Sequence, residues 1–321
     1  MLSRVAENLY WAARYLERSE NTARMINVNA NLLLDLPRNV RPGWAPLVDI
    51  SGNHELFRQQ YTDSDERSVL KFMVGDTANP SSILTSLART RENARTVRDY
   101  IPREAWEQIN ELHFFAKSNL TSVLGQKRRY EYLRGIILGV QQITGLLAGT
   151  MSQDEGYQFL RMGRNLERAD MTARIIDVRS ANLLPDSSPE LTPFQNIQWM
   201  SVLKSLSGYQ MYRRSVQTRI ARPEVLRFLF KERLFPRAFY HCVAEVGSCM
   251  RSLPRHEAAL AHVERLQNIV IESEPENMKQ ASLHEFIDVL ELGLIDINAA
   301  ISQTYFLAAE AAPPEQKAQQ A

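Results

Sequence analysis

Apolar and small residues recur at alternating spacings of three and four along the first stretch of the chain: Leu2, Val5, Leu9, Ala12, Leu16, Ser19, Ala23, Ile26, Ala30 and Leu33. That spacing draws a narrow seam down one side of a helix, as in a coiled coil. It predicts one long helix over residues 2–36, with Ser3 as its N-cap. Ala and Ser at many seam positions leave room for a second helix to come close. Asp35-Leu36-Pro37 and Pro42-Gly43 end the segment. Further helices are predicted at 66–74, 81–100, 103–124, 128–150, 155–184, 256–273 and 282–308, with Glu274-Pro275-Glu276-Asn277 as the last turn. Asn79-Pro80 is expected to open the 81–100 helix, Asn as N-cap and Pro in the first helical position. Gly135, Gly139, Gly145 and Gly149 fall inside one predicted helix. Each costs about 1 kcal/mol against Ala, so close helix packing is expected there.

The long helix comes back. Leu16-Glu17-Arg18-Ser19-Glu20-Asn21-Thr22-Ala23-Arg24 returns as Leu166-Glu167-Arg168-Ala169-Asp170-Met171-Thr172-Ala173-Arg174, and 10 of 19 positions agree between 16–34 and 166–184. Trp44 is echoed by Trp199, Ser51-Gly52 by Ser207-Gly208, and Val69-Leu70-Lys71-Phe72 by Val225-Leu226-Arg227-Phe228. Pro80 and Pro236 each follow that Val by 11 residues, so the offset grows from 150 to 156. A six-residue insertion in Leu184–Pro193 accounts for the growth. Anchors repeated in one order mark an internal duplication. The expected fold is therefore all-α: a helical bundle of two tandem related units, about 1–150 and 151–310, around paired long helices. Together they would form a single domain over 1–310, with Ala311–Ala321 as a disordered Pro/Gln/Ala tail.

The repeat carries charge. Glu17, Glu20 and Arg24 share one flank of the seam, and Arg14 and Arg18 are expected to point away from it. The second copy keeps the pattern: Glu167, Asp170 and Arg174 on one flank, Arg164 and Arg168 on another. Two readings stand side by side. Charges beside a seam brace neighbouring helices, or mirrored acid-base pairs build a polar pocket between the copies. A second charged group, Arg91, Glu92, Arg95 and Arg98, belongs to the first half alone. Its counterpart keeps only Arg251, opposite Arg95, and has Gly247 and Ser248 opposite Arg91 and Glu92. Arg91, Arg95 and Arg98 stand at i, i+4 and i+7. They form either a solvated face or a stripe for a carboxylate, a phosphate or an acidic patch on a partner.

Composition narrows the classes. With 38 Lys+Arg against 37 Asp+Glu, nothing points to nucleic acid or an anionic membrane. No run of about 18 apolar residues predicts a spanning helix, and the first residues lack the apolar core of a signal peptide. Cys242 and Cys249, seven residues apart on one helix, would be about 10 Å apart and cannot bridge. Free thiols without an export signal lead to the expectation of a cytoplasmic protein. None of the six histidines has a Glu three residues before it, as a di-iron bundle would need. No phosphate loop, nucleophile elbow or zinc-protease motif occurs, so neither metal nor cofactor is expected.

Leu2-Ser3-Arg4-Val5-Ala6-Glu7-Asn8-Leu9-Tyr10-Trp11, then Arg14-Tyr15-Leu16-Glu17-Arg18, resembles the bacterial alpha-E family, named for its repeated Glu-Arg motif. The resemblance extends to Arg91-Glu92-Asn93-Ala94-Arg95 with Glu104, Trp106 and Asn110, and to Gly163-Arg164-Asn165-Leu166-Glu167-Arg168-Ala169-Asp170. It departs at Ser19, where the family more often has Ala. The resemblance implies a partner of circularly permuted ATP-grasp amide ligases, transglutaminase-like proteases and proteasome-like peptidases, in a system that makes or processes a peptide-like modification. Two functions follow as expectations. One is a non-catalytic partner holding a ligase or its substrate. The other is an enzyme using a Glu/Arg pocket on an amide or amino acid. The lack of a nucleophile or metal ligand favours the first.

Overall fold

The computed structural model describes residues 1–37, 42–181, 192–217 and 219–307. In the first half these form α1 (Ser3–Asp35), α2 (Ala45–Ser51), α3 (His54–Gln60), α4 (Glu66–Val74), α5 (Ile83–Thr96), α6 (Arg103–Ser118) and α7 (Gln126–Thr150). The second half gives α8 (Glu155–Ala181), α9 (Thr192–Ser205), α10 (Tyr209–Ser215), α11 (Arg222–Lys231), α12 (Phe239–Arg251), α13 (Glu257–Glu272) and α14 (Gln280–Ile301). No strand occurs among the described residues. The protein is an all-α bundle.

The seam residues of α1 and α8 bring these two helices together as the most extensive helix contact in the fold. They run parallel and in register. Met1 meets Glu155, Glu17 and Arg18 face Arg168 and Glu167, and Asn29 meets Arg179. At Gly163 a Cβ would sit 2.2 Å from the Tyr10 carbonyl oxygen, so only glycine lets the two backbones approach this closely.

Each long helix is then wrapped by its own half. α1 packs on α5 and α7, with α6 joining those two; α8 packs likewise on α12 and α14, with α13 between. The buried side of α5, Ile83, Leu87 and Ala94, with Val97 just past its end, has its counterpart in Phe239, Val243 and Met250 of α12, with Leu253 just past its end. Gly139 seats α7 on Leu112, and Gly293 seats α14 on Leu266 with the same 2.6 Å clearance. The register between the halves is thus 150 for the long helices, 156 for α5 and α12, and 154 for the outer pair. The second helices cross over: α9 lies on α1, and α2 on α8.

Several local expectations are corrected. Leu2, not Ser3, is the N-cap of α1, and no side chain caps it. Ser82 caps α5 by accepting from Thr85, whereas the buried Asn79 amide donates to the Phe72 carbonyl. Helix α5 stops at Thr96, so Arg98 lies beyond it. Helix α6 ends at Ser118 and a tight turn, Leu120–Leu124, follows. Gly135 and Gly139 do sit beneath Phe115 and Leu112, but Gly145 and Gly149 meet nothing within 4 Å. Gly52 ends α2 at φ +69°; the matching left-handed residue after α9 is Ser207, one place before the Gly208 that sequence matching had paired with it. The insertion region at 184–191 and the tail at 311–321 lie outside the described residues.

Candidate functional site

Where α1 and α8 meet, each Glu of the repeat is held by arginines from across the interface. Glu167 is fully buried. It accepts from Arg14 Nε at 2.9 Å and from Arg18 Nε and Nη2 at 2.5 and 2.9 Å. Glu17, 2% exposed, mirrors it with Arg168 Nε at 3.0 Å and Arg237 Nη1 at 2.7 Å. Arg14 and Arg18 therefore do not point away from the seam. Parallel, in-register pairing turns the 14/17/18 face toward 164/167/168, and a buried carboxylate needs those donors. Glu20 takes Arg24 at 2.6 Å, Arg237 at 3.2 Å and the Gln141 amide at 3.3 Å. Asp170 takes Arg174 at 2.9 Å, and Glu291 of α14 stands 3.9 Å from the same guanidinium. Arg174 also passes over Gly52, where a Cβ would lie 2.9 Å from its Nη1.

Two lattice members had no sequence signal. Arg237 precedes α12 at the position opposite Ser81. The Thr172 hydroxyl donates to its carbonyl, and its Nη1 also donates to Asn21 at 2.6 Å. Asn298 sits beside the apolar face of α14; its Oδ1 accepts from Arg14 Nη1 at 2.9 Å and from the Tyr10 hydroxyl at 2.7 Å.

The lattice fixes protonation. Burial would push the Glu17 carboxyl up, but Arg168 and Arg237 overcome it and hold it at about 2. For Glu167 burial is likewise outweighed, by Arg18 and Arg14, and its carboxyl stays below the usual range. Both remain ionised at neutral pH, so neither can shuttle protons there. Burial pushes the Cys242 and Cys249 thiols up to about 12 and about 11, which keeps them un-ionised. Glu291 is different: burial raises it, Arg174 pulls the other way, and Asp170 adds to the rise. No group of His, Cys, Asp and Glu among the described residues fits a metal ion.

The second charged group is not brought to this lattice. Arg91 donates to Asn110 at 2.7 Å and to Glu92 at 3.0 Å, with its guanidinium 5.7 Å from the Trp106 and Phe114 rings. Arg95 pairs with the other Glu92 oxygen at 3.0 Å. Arg98 is exposed near Asp99. One Glu thus tempers two arginines on an outward face. Beside it, between α1 and α5, runs an open groove of about 690 Å³ lined by Arg4, Trp11, Tyr15, Arg89 and Glu92. Trp11 stacks on Tyr15 at 5.5 Å. Arg14 lies 5.1 Å from the Trp11 ring, and Arg18 and Arg89 lie 5.6 and 5.3 Å from the Tyr15 ring. The groove wall is thus the back of the buried lattice. Trp11 and Tyr15 were not singled out in the sequence, although their i, i+4 spacing beside Arg14 and Arg18 was there to read.

Fold and lattice define the class: an all-α helical bundle whose two long central helices are locked by reciprocal Glu-Arg pairs. The chain belongs to the Alpha-E family, described as a predicted alpha-helical domain with a conserved ER motif, whose model matches residues 1–306. No curated protein and no solved structure matches it. No helix among the described residues is long and apolar enough to cross a membrane.

Proposed function

We propose that this protein is a non-catalytic helical partner in an ATP-grasp amide (peptide) ligase system, holding the ligase or its peptide-like substrate. The proposal extends to the organisation of the chain: one domain over 1–310, duplicated from units of about 1–150 and 151–310, working in the cytoplasm. The observation that carries it is the state of the motif carboxylates. Glu17 and Glu167 are buried, ionised and occupied by arginines, so they serve as a clamp between halves. Binding then falls to the outside, on the Arg91, Arg95 and Arg98 face and the adjoining Trp11–Tyr15 groove, where aromatic and guanidinium groups suit an acidic or C-terminal peptide segment.

The test is a pull-down of a candidate ATP-grasp ligase, with a product assay in the presence and absence of this protein. Arg91→Ala with Arg95→Ala should lose the ligase and leave the helical signal. A transglutaminase-like protease and a proteasome-like peptidase serve as further baits. Unchanged product, or capture that survives the double variant, would refute the reading. Glu291 favours the enzymatic alternative, since a raised carboxyl beside Arg174 can act as an acid; amide turnover by the protein alone, abolished in Glu291→Gln, would establish it.

A further inference from the structure

The two halves differ most in what fills the space beneath the clamp. In the first half a cavity of about 40 Å³ lies among Leu9, Ala12, Thr90, Ala94 and Thr144, walled by Arg164 of α8. The register of the halves places Phe159, Met162, Val246, Met250 and Asn298 at the corresponding points of the second half, with Arg14 as the wall. Phe159, Met162, Val246 and Met250 are all buried. Two alanines of one copy are two methionines of the other. The second half is filled where the first is open.

The arginines differ in the same sense. Arg14 is satisfied by Glu167 and Asn298. For Arg164 the Asn position holds Thr144, and Glu17, which lines the cavity beside it, is ion-paired with Arg168 and Arg237 instead. Its Nε is buried without a hydrogen-bond partner, and it forms no ion pair among the described residues. A buried donor left unpaired is unfavourable, and so is unfilled core volume. Neither feature helps folding, yet they lie side by side. Arg161, a quarter exposed and paired with Glu245, also lines the cavity.

We propose that the first half binds a short-chain carboxylate, its carboxylate on Arg164 and its alkyl tail between Ala12 and Ala94. Mostly apolar walls with two guanidiniums, Arg164 and Arg161, define that chemistry; the one carboxylate in the lining, Glu17, is already ion-paired with Arg168 and Arg237. The volume admits about three water-sized probes, which sets the tail at about three carbons. This site does not rest on the ligase reading.

The test titrates the full chain with butyrate by calorimetry and saturation-transfer NMR, with n-butanol and n-butylamine as comparators. Saturable butyrate binding at one site per chain is expected. Arg164→Gln, which removes a charge-assisted bond, should weaken it about tenfold or more. Ala94→Met, which places in the first half the side chain the second already has, should abolish it and hold or raise the melting point. The site would be overturned by absent saturation with butyrate, by equal binding of butanol or butylamine, by binding that survives Ala94→Met, or by a lower melting point for that variant.

Discussion

Glu167→Gln is the sharpest perturbation of the clamp, because it removes a charge and almost no volume. The carboxylate is fully buried and accepts three hydrogen bonds from two arginines. An amide keeps one acceptor and turns an N–H toward the guanidinium groups. Arg14, itself 9% exposed, is then left as a buried cation with only Asn298. Breaking a buried pair in this way costs about 3–5 kcal/mol. Unfolding entropy of roughly 2.1 cal/mol/K per residue, over 321 residues, converts that to a fall in melting midpoint of about 4–7 °C.

Urea denaturation followed by circular dichroism measures it, beside a control at an exposed pair. Arg103 and Glu107 are 86% and 49% exposed at their side chains, and Glu107→Gln should stay within about 0.5 kcal/mol of wild type. Removing all three charges together, with Arg14→Met, Arg18→Met and Glu167→Leu, should recover much of the loss, since apolar replacement of a buried ion cluster is often near neutral. If Glu167→Gln loses no more than Glu107→Gln, the clamp contributes nothing and the reasoning fails.

The remaining predictions rest on the same geometry. Glu17 and Glu167 have folded pKa values below their ordinary 4.5, Glu17 at about 2. Their contribution is full above that ordinary value and is lost as pH falls toward 2; urea midpoints should therefore drop across that window, and less steeply in Glu17→Gln. Gly163→Ala places a Cβ against the Tyr10 carbonyl and should lower the melting point, whereas Gly145→Ala and Gly149→Ala, with nothing within 4 Å, should raise stability by about 0.4–1 kcal/mol each. Cys242 and Cys249, buried and un-ionised, should resist a thiol reagent at pH 8 until the chain is unfolded; prompt labelling of native protein would contradict the packing of α12.

What could be read from the chain, and what could not, follows from how far each interaction reaches along it. The seam from Leu2 to Leu33 is a local periodicity, so helix α1 was legible to within a residue at each end. The Arg14 and Arg18 directions were not, because a helical wheel gives angles about one axis and says nothing of where the partner axis lies. That partner is set by the parallel pairing of two segments 150 residues apart, fixed by the small residue at Gly163. Arg98 was assigned to a stripe on the assumption that α5 continued past Thr96. Asn79 was read as the cap of α5 from its neighbour Pro80; its oxygen does accept from the Ser81 N–H, but its amide nitrogen serves the carbonyl of Phe72 in α4, and α5 starts later, at Ile83.

The repeated Glu-Arg segment also explains what stayed hidden. Symmetry lets one copy predict the other: Arg18 on Glu167 implies Arg168 on Glu17. Arg237 breaks that symmetry, since its counterpart Ser81 carries no charge. By taking Glu17 and Glu20 it turns a two-for-one sharing into a competition that Arg164 loses. Arg237 at the edge of α12 thus pairs with the acids that Arg164 of α8 would otherwise take, and Arg164 lines the cavity. Arg237→Ser restores the symmetric arrangement, so Arg164 should move onto Glu17 and butyrate binding should fall, with the helical signal retained. Undiminished binding by that variant would show that Arg164 and Arg237 do not compete for Glu17.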